Sequence, residues 1–358
     1  MTRTVAVTLD QLYRPQPGGI ATYVHGLLAG LVEVADPAWR VVGVVPRGPE
    51  PAGLASEVAA RAHAPLSVRA LTRVWDRVPL GVPRDADVVH ATTLAGPYAG
   101  GARGARHCVA LHDLLWRDEP AAFGASGRRF HESRLRAIRR RGDLRVVTTA
   151  PGLAARLEAE GFERARLFEA RLGVDLDGPA AAPDEVGALL AAAGVAGPYL
   201  LYAGTREPRK NLARLIEAHA RARRDTPSLG SLVLVGPAGW GEAPVGAVVL
   251  GPVERRVLRG LVRDARALAY VPLAEGFGLP PVEALALGTP VVASATTPSV
   301  ATNPEAVLVD PTDVESIAAG LVRAAGLPRA PADRERRRAT VEAHTWRRCA
   351  TDHLEAWR

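Results

Sequence analysis

Short apolar runs rich in β-forming residues alternate with amphipathic helical stretches along the chain, and this alternation constrains the fold most. It is typical of parallel sheets whose strands are connected by helices. In the first half, strands are predicted at residues 4–8, 40–45, 86–91, 108–112 and 145–149, and helices at 20–34, 126–141 and 152–160. The pattern then restarts, with strands predicted at 199–203, 231–235, 247–250, 267–271, 290–294 and 306–309. We therefore predict an α/β protein in which the same plan occurs twice.

The length of 358 residues also favours two domains, because a single hydrophobic core rarely grows to that size. Residues 173–198 are rich in Ala, Pro and Gly and show no strand pattern, so we place the linker there. The predicted domains are residues 1–175 and 176–340, followed by a terminal helix, 341–358. Two such domains would face a central cleft at the carboxyl ends of both sheets, where ligands of this architecture bind.

The composition excludes several classes of protein. No apolar run reaches the ~20 residues that span a bilayer, and the first residues lack the apolar core of a signal peptide, so we expect a cytoplasmic protein. The two cysteines, Cys108 and Cys349, match no metal-ligand spacing, and we expect neither a metal nor a disulfide. Of the 45 basic residues 44 are Arg, which makes the single lysine, Lys210, stand out.

Part of the net charge of +7 is concentrated in one helical stretch. Its arginines are Arg128, Arg129, Arg134, Arg136, Arg139, Arg140, Arg141 and Arg145. Such a stretch predicts peripheral contact with an anionic membrane at its inner face; the alternative is a solvated helix in which Arg reflects genome-level bias. Nucleic acid is not expected as a partner, because no aromatic residues are interleaved for base stacking.

The strongest motif runs from Glu275 to Glu283, between a predicted strand and a helix predicted over 280–287. Gly276 and Gly278 allow the backbone to approach a ligand closely, and the N–H groups of the first helical turn favour an anion. Glu283 is expected in that first turn, where it would accept hydrogen bonds from a vicinal diol. The sequence therefore predicts a site for a diphosphate between two polyhydroxyl rings; an ordinary turn with a stabilising Glu is the alternative.

A second loop joins the first strand of the second domain to its first helix, and it includes Gly204, Arg206, Arg209 and Lys210. Arg209 and Lys210 would stand at the carboxyl end of the strand, where fixed cations bind phosphate oxygens. They would also stabilise the charge that develops on a departing nucleoside diphosphate, the task that Mg²⁺ performs elsewhere. The alternative is a solvated helix N-terminus.

Two weaker features lie in the first domain. Gly18 and Gly19 are predicted in a loop between the first strand and the first helix, where they would permit a phosphate or sugar to approach, although a tight turn is equally compatible. His112 ends a predicted strand and would donate a hydrogen bond to a sugar hydroxyl, with Asp113 orienting it. Among the other histidines, His131 in the basic stretch is the one with a possible further role.

These residues together resemble the GT-B family of retaining glycosyltransferases known as family 4. The matching stretches are PGGIATYVHGLL, VALHDLLW, GVD at 173–175, LLYAGTREPRKNLARLIEAH, LVLVGPAGW and EGFGLPPVEALALGTPVVAS. The resemblance implies two Rossmann-like, doubly wound domains, with a nucleotide sugar held mainly by the second and the last helix crossing back to the first. The chain departs from the family pattern at 149–150, 271–272 and 297–301, which affects acceptor identity and sugar orientation more than donor binding.

By this resemblance each site residue receives an expected role. Glu275 would contact the donor sugar, Glu283 the ribose, and Arg209 with Lys210 the diphosphate. Backbone N–H groups of Phe277 and Gly278, beside Leu279, would contact the phosphates, as would Gly204 and Arg206, and the Gly18–Gly19 pair would lie near phosphates or acceptor. His112 would reach the transferred sugar.

The activity that the resemblance implies is transfer of a hexose from a nucleoside-diphosphate sugar to a hydroxyl acceptor with retention of configuration. It needs no metal and no cofactor, and the acceptor would be a glycolipid, a polysaccharide or a small glycoside. The Arg-Lys-Asn form of the loop is similar to members that use GDP-mannose. Two alternatives stay open: a sugar-nucleotide 2-epimerase, and a non-catalytic nucleotide-sugar-binding module.

Overall fold

The computed structural model describes residues 2–16, 18–51, 54, 58, 60–98, 104–239 and 245–358. The chain divides into two compact units. The first consists of Met1–Gly173 together with His344–Arg358, and the second of Val174–Ala343. Each unit contains one parallel sheet, which confirms the predicted α/β plan with its restart in the second half.

The sheet of the first unit has seven parallel strands in the order β3-β2-β1-β4-β5-β6-β7. They are β1 Arg3–Thr8, β2 Trp39–Val45, β3 Ala60–His63, β4 Val88–Ala91, β5 Arg106–Leu111, β6 Arg145–Thr148 and β7 Leu167–Glu169. The helices of this part are α1 Gly18–Val34, α2 Val68–Val74, α3 Leu115–Asp118, α4 Ala125–Arg140 and α5 Leu153–Ala159. The strand order reverses between β1 and β4, which is where ligands bind in doubly wound sheets.

The sheet of the second unit has six parallel strands in the order β10-β9-β8-β11-β12-β13. They are β8 Tyr199–Ala203, β9 Ser231–Val235, β10 Val248–Gly251, β11 Ala267–Tyr270, β12 Val291–Ser294 and β13 Ala306–Val309. Its helices are α6 Pro183–Ala192, α7 Leu212–Asp225, α8 Arg255–Asp264, α9 Leu279–Ala286, α10 Val314–Ala325 and α11 Pro331–Ala339. The strands β8 and β11 are neighbours although two strands and two helices separate them in sequence, so the loops that follow them lie side by side.

Two predictions about elements were wrong. The strands β3 and β7 were missed, because ARAH and LFE lack the apolar run that marks the central strands. The predicted linker, 173–198, contains no strand, as expected, but includes α6, which begins with proline at its first turn. The stretch after residue 331 forms two helices, α11 and α12 (Trp346–Trp357), rather than one.

The last helix, α12, belongs to the first unit and packs against α1. Glycines on α1 permit this close approach. A Cβ atom on Gly30 would lie 2.1 Å from the carbonyl oxygen of Trp346, and one on Gly26 would lie 2.1 Å from the Trp346 ring. Among the described residues, no helix is both long enough and apolar enough to cross a membrane.

We expect Gly30→Ala to destabilise the protein, although alanine favours a helix by ~1 kcal/mol over glycine at an unhindered site. The added methyl group meets backbone, which cannot rotate away, so overpacking should lower the free energy of unfolding by about 1–3 kcal/mol. Denaturant unfolding followed by circular dichroism measures this. Gly127→Ala on α4, where a Cβ would meet nothing within 4 Å, is the control and should not destabilise.

Candidate functional site

The lone lysine and the first glutamate of the Glu275–Glu283 motif form a buried ion pair in the second unit. Lys210 ends a 3-10 turn, Pro208–Lys210, that follows β8, and Glu275 lies in the loop after β11. The Lys210 Nζ donates to Glu275 Oε2 at 2.5 Å and to Tyr270 Oη at 2.9 Å. The Tyr270 hydroxyl donates to the same carboxylate oxygen. Adjacent strands therefore bring these three side chains together at the carboxyl edge of the sheet.

Arg209 binds the other side of the same carboxylate. Its Nη1 lies 3.2 Å from Glu275 Oε1 and donates to the Ala274 carbonyl at 2.8 Å. Its Nη2 donates to Glu207 Oε1 at 2.7 Å, and its own carbonyl accepts from the Leu273 N–H at 2.9 Å. Both predicted cations thus stand at the end of β8 and are fixed against the loop that follows β11.

The charges of this cluster determine its protonation. Burial by itself raises the pKa of Glu275, but the positive charges of Lys210 and Arg209 outweigh burial and hold it at about 2. Burial lowers the pKa of Lys210, and the charge of Glu275 opposes that shift. The two cations face two carboxylates, those of Glu275 and Glu207, so the formal charges of the cluster balance. Any anion bound here would therefore share Arg209 and Lys210 with these carboxylates.

Gly278 is the N-cap of α9 and adopts φ +90°, a conformation that favours glycine. A Cβ there would lie 2.6 Å from Thr297 Cγ2, while Ser299 Oγ donates to the Gly278 carbonyl at 2.7 Å. Segment 297–301, where the chain departs from the family pattern, therefore packs on the glycine loop. The side chain of Phe277 is buried, and its carbonyl accepts from the Ser299 N–H at 3.0 Å.

The N-terminus of α9 offers fewer donors than the sequence reading assumed. A helix leaves its first N–H groups without an intrahelical acceptor, but Pro280 and Pro281 have no N–H to offer. The donors of Gly278 and Leu279 remain. A diphosphate at this position would depend more on Arg209 and Lys210 than on the helix N-terminus.

The second glutamate of the motif lies apart from this cluster. Since α9 begins at Leu279, Glu283 is its fifth residue, so its placement in the first turn was wrong. Its carboxylate lies 3.9 Å from Arg255 Nη2. Burial raises the pKa of Glu283, and Arg255 and Arg259 oppose this.

The remaining predicted positions of the second unit lie where two loops pack by backbone. Gly204 ends β8 with φ +152°, and a Cβ on Gly236, in the loop after β9, would lie 2.2 Å from the Gly204 carbonyl oxygen. The Arg206 N–H donates to the Pro237 carbonyl at 3.3 Å. At position 236 only glycine fits, because any Cβ atom there would overlap the Gly204 carbonyl oxygen.

In the first unit, His112 follows β5 and has a partner on each ring nitrogen. Its Nε2 lies 2.9 Å from the Thr92 carbonyl and its Nδ1 lies 2.9 Å from Thr149 Oγ1. Because a carbonyl only accepts, Nε2 carries the proton and Nδ1 accepts from the Thr149 hydroxyl. Burial lowers the pKa of His112 to about 4, against the hydrogen bond to Thr92, so the ring is neutral at pH 7. Asp113 accepts the Leu115 N–H at 3.0 Å.

Two further sequence features change meaning. Gly18 and Gly19 were predicted in a loop, but α1 begins at Gly18, so both lie exposed in its first turn; Pro17 lies outside the described residues.

Most arginines of the basic stretch bind the protein itself. Those with such partners include Arg128 (Pro120 O), Arg134 (Asp76), Arg136 (Glu132 O), Arg139 (Glu160 O), Arg141 (Asp143) and Arg145 (Ala356 O). Among the described residues, Arg129 and Arg140 are the two arginines of the stretch without such a partner, and membrane contact stays a prediction.

The sequence reading missed Tyr270 and Glu207. Tyr270 is the last residue of an apolar strand and reads as core, although its hydroxyl joins Lys210 to Glu275. One signal could have found it. Tyr270 is an aromatic residue with a polar tip at the carboxyl end of a central strand, five residues before a motif glutamate. In the part of the chain that the structure describes, no group of three or more His, Cys, Asp or Glu side chains could hold a metal ion.

Comparison with known proteins identifies the fold and the second unit. Solved structures of similar fold include sucrose-phosphate synthase from Thermosynechococcus elongatus, with a TM-score of 0.75, 20% identity and coverage of 99% of this chain and 98% of that one. The Anabaena protein HepE in complex with UDP and glucose gives a TM-score of 0.70 at 17% identity, covering 99% and 98%. The fold is therefore that of the GT-B glycosyltransferases.

The family assignment concerns the second unit. Residues 197–326 match the family model described as "Glycosyl transferases group 1". The O-antigen chain mannosyltransferase B of Escherichia coli is 33% identical over 180 residues, which is 45% of this chain and 45% of that protein. The serotype-specific mannosyltransferase WbdA of Escherichia coli is 32% identical over 136 residues, 34% of this chain and 16% of that protein. Residues 197–326 are thus similar to the group 1 glycosyltransferases, and the chain spans less than half the length of these relatives.

We expect Glu275→Gln to lower the free energy of unfolding by about 3 kcal/mol, because it leaves two buried cations without their shared carboxylate. Lys210→Met combined with Glu275→Gln should restore part of the loss, and a double-mutant cycle from denaturant unfolding measures the coupling. Additive single and double losses would contradict the pairing.

The pKa of Glu275 is lowered on folding, so its contribution to the free energy of unfolding is complete above pH 4.5 and is lost as pH falls toward 2.

Proposed function

We propose that this protein is a retaining glycosyltransferase that moves a hexose from a nucleoside-diphosphate sugar to a hydroxyl acceptor. The observation that carries the proposal is that the matched segment, 197–326, places Arg209, Lys210 and Glu275 in contact at the edge of the sheet. A buried lysine and a partly buried arginine beside a carboxylate suit a sugar diphosphate. The cations bind the phosphates, and the carboxylate accepts hydrogen bonds from sugar hydroxyls.

The roles of these residues follow from what each can do chemically. When the bond between sugar and diphosphate breaks, negative charge grows on the leaving phosphate, and Lys210 and Arg209 stabilise it in a site of low dielectric. Lys210 has three N–H donors, of which the structure uses two, so one remains for a phosphate oxygen. Glu275 orients the sugar while its contacts with Tyr270 and Lys210 keep it ionised. In this proposal no protein nucleophile and no metal are required, and the leaving phosphate accepts the proton of the acceptor.

The donor sugar that we propose is mannose, carried by GDP. Its support is that both Escherichia coli relatives are mannosyltransferases, together with the Arg-Lys-Asn form of the loop after β8. For the acceptor we propose a glycan, lipid-linked or free, and for the place of action the cytoplasmic face of the membrane. Arg129 and Arg140 of α4, which pair with no described residue, would provide the contact with anionic lipid.

The test is sugar transfer by the full chain from GDP-mannose, UDP-glucose and ADP-glucose, each in turn, to a panel of glycosides. We expect transfer from GDP-mannose, retained anomeric configuration by NMR and no loss of rate with EDTA. Lys210→Ala should lower kcat at least about 100-fold, because it removes a fixed charge that stabilises the transition state. Arg224→Gln, an exposed cation on α7, is the matched control and should be unchanged.

Other outcomes would contradict the proposal in distinct ways. Release of an epimerised sugar without transfer indicates a 2-epimerase. Stabilisation by nucleotides with neither product indicates a binding module. Unchanged turnover in Lys210→Ala, with GDP-mannose as donor, would remove the proposed role of the lysine.

Tyr270→Phe removes a hydroxyl that positions Glu275 and Lys210 but leaves their charges in place. It should therefore raise KM for the donor more than it lowers kcat.

A further inference from the structure

Buried polar atoms without a hydrogen-bond partner are concentrated in one part of the first unit. Among the described residues, twelve buried side-chain nitrogen and oxygen atoms have no partner, and six of them belong to five neighbouring residues. These are both carboxylate oxygens of Asp10, Nε of Arg14, Oδ1 of Asp76, Nδ1 of His131 and Nε of Arg134. Folded proteins leave few such atoms unpaired, so a cluster of six needs an explanation.

The five residues are linked by direct contacts. Arg14 Nη2 lies 3.7 Å from Asp10 Oδ2 and donates to Thr72 Oγ1 at 3.1 Å. The carbonyl of Thr72 accepts from Arg134 Nη2 at 3.1 Å, and Arg134 forms an ion pair with Asp76. The ring of His131 stacks on Trp116, with centroids 4.8 Å apart and planes inclined by 14°. His131 also contacts Phe130, with ring centroids 5.4 Å apart, and Arg134 Cζ lies 5.1 Å from the centroid of the same Phe130 ring. Burial lowers the pKa of His131, and the charge of Arg14 lowers it further.

Asp10 is the centre of this cluster, and within the described part of the chain its carboxylate is buried without the hydrogen bonds that usually stabilise a buried charge. Its side chain is 1% exposed, yet among the described residues neither oxygen has a hydrogen-bond partner at normal distance, and Arg14 Nη2 lies 3.7 Å from Oδ2. Burial raises its pKa to about 6, against the charge of Arg14. A carboxylate held in this way destabilises the folded chain at neutral pH, because it is ionised in the unfolded state and resists ionisation in the folded one.

The position of Asp10 is that of a ligand-binding residue in this architecture. Asp10 begins the 3-10 turn that follows β1, and β1 and β4 flank the point where the strand order reverses. Thr8 at the end of β1 and Thr92 after β4 are joined by a hydrogen bond of 3.1 Å between their hydroxyls. Ligands of doubly wound sheets bind at the carboxyl ends of the strands at this reversal.

We propose that Asp10 and Arg14, with His131 and Trp116 as a wall, form a binding site for an uncharged sugar ring of the acceptor. The carboxylate oxygens of Asp10 would accept hydrogen bonds from two ring hydroxyls, and Arg14 Nε would donate to a third oxygen. Asp10 and Arg14 have opposite charges, so together they attract an anion only weakly. A phosphate bound here would also be repelled by the Asp10 carboxylate. A sugar ring without a charged group satisfies both residues.

Access to the buried carboxylate depends on Arg14. The side chain of Arg14 is 35% exposed, so its guanidinium connects Asp10 with solvent. A ring that reaches Asp10 displaces this side chain to another rotamer, and Arg14 then donates to the ring instead of Thr72. That the bound ring belongs to an acceptor rests on the proposed function; that the site binds a sugar does not.

The first experiment measures binding to the full chain without donor. Saturation-transfer NMR is recorded with methyl α-D-mannopyranoside, methyl α-D-glucopyranoside, methyl β-D-galactopyranoside and the 6-phosphate of the first. We expect at least one neutral glycoside to bind, Asp10→Asn and Arg14→Gln to weaken it about tenfold or more, and Asp85→Asn and Arg69→Gln, exposed residues of the same unit, to leave it unchanged. Absence of binding up to 100-fold excess of glycoside, equal binding by Asp10→Asn, or stronger binding of the phosphate would each overturn the proposal.

The second experiment distinguishes a binding role of Asp10 from a structural one. Without ligand, Asp10→Asn should raise Tm by a few degrees at pH 7.5, because it removes a buried charge with no hydrogen-bond partner. A lowered Tm would indicate that Asp10 supports the fold and would overturn the proposal. Thermal stabilisation by GDP should be equal in both proteins. If glycosides bind but no sugar is transferred, the proposed function fails and the site stands; if transfer occurs with an unchanged acceptor KM in Asp10→Asn, the site fails alone.

Discussion

The buried ion pair between Lys210 and Glu275 is the interaction on which the second unit's candidate site depends. Neither charge is stable alone at that depth, because an unpaired buried ion carries a desolvation penalty of several kcal/mol. The two residues are on different loops, so their pairing fixes the loop after β8 against the loop after β11. Arg209 and Tyr270 bind the same carboxylate and thereby hold it in one orientation. A single carboxylate thus organises both predicted cations.

Close approach of backbone to backbone is the second constraint. Gly204 and Gly236 allow two loops to meet at the edge of the sheet, and Gly278 fits beneath Thr297. These contacts position the N-terminus of α9, whose two prolines remove donors that a phosphate would use. A phosphate at this site would consequently be bound mainly by side-chain cations. Compared with an anion site built on a helix N-terminus alone, such a site responds strongly to the loss of Lys210.

The first unit shows how differently two polar residues at one sheet edge can be used. His112 has a partner on each ring nitrogen and is neutral, so a sugar hydroxyl could bind it only by replacing Thr92 or Thr149. Among the described residues, the carboxylate oxygens of Asp10 have no hydrogen-bond partner at normal distance, and Arg14 Nη2 lies 3.7 Å away. The histidine attracted attention in the sequence because of its type and position. The aspartate did not, because a carboxylate after a strand is ordinarily solvated, and its burial depends on Arg14 and on neighbours distant in sequence.

By itself the sequence determined the α/β plan, its repetition and the core strands. The bounds of β8, β9 and β13 agree with the predicted ones, because runs such as YLLYA and SLVLV are almost wholly apolar and end at turn residues. It also gave the positions of Arg209, Lys210 and Glu275 at strand ends. Only the tertiary structure decided which of them meet. The pairing of Lys210 with Glu275 depends on β8 lying beside β11, and strand order is set by the packing of the whole sheet, which no local pattern of residues encodes.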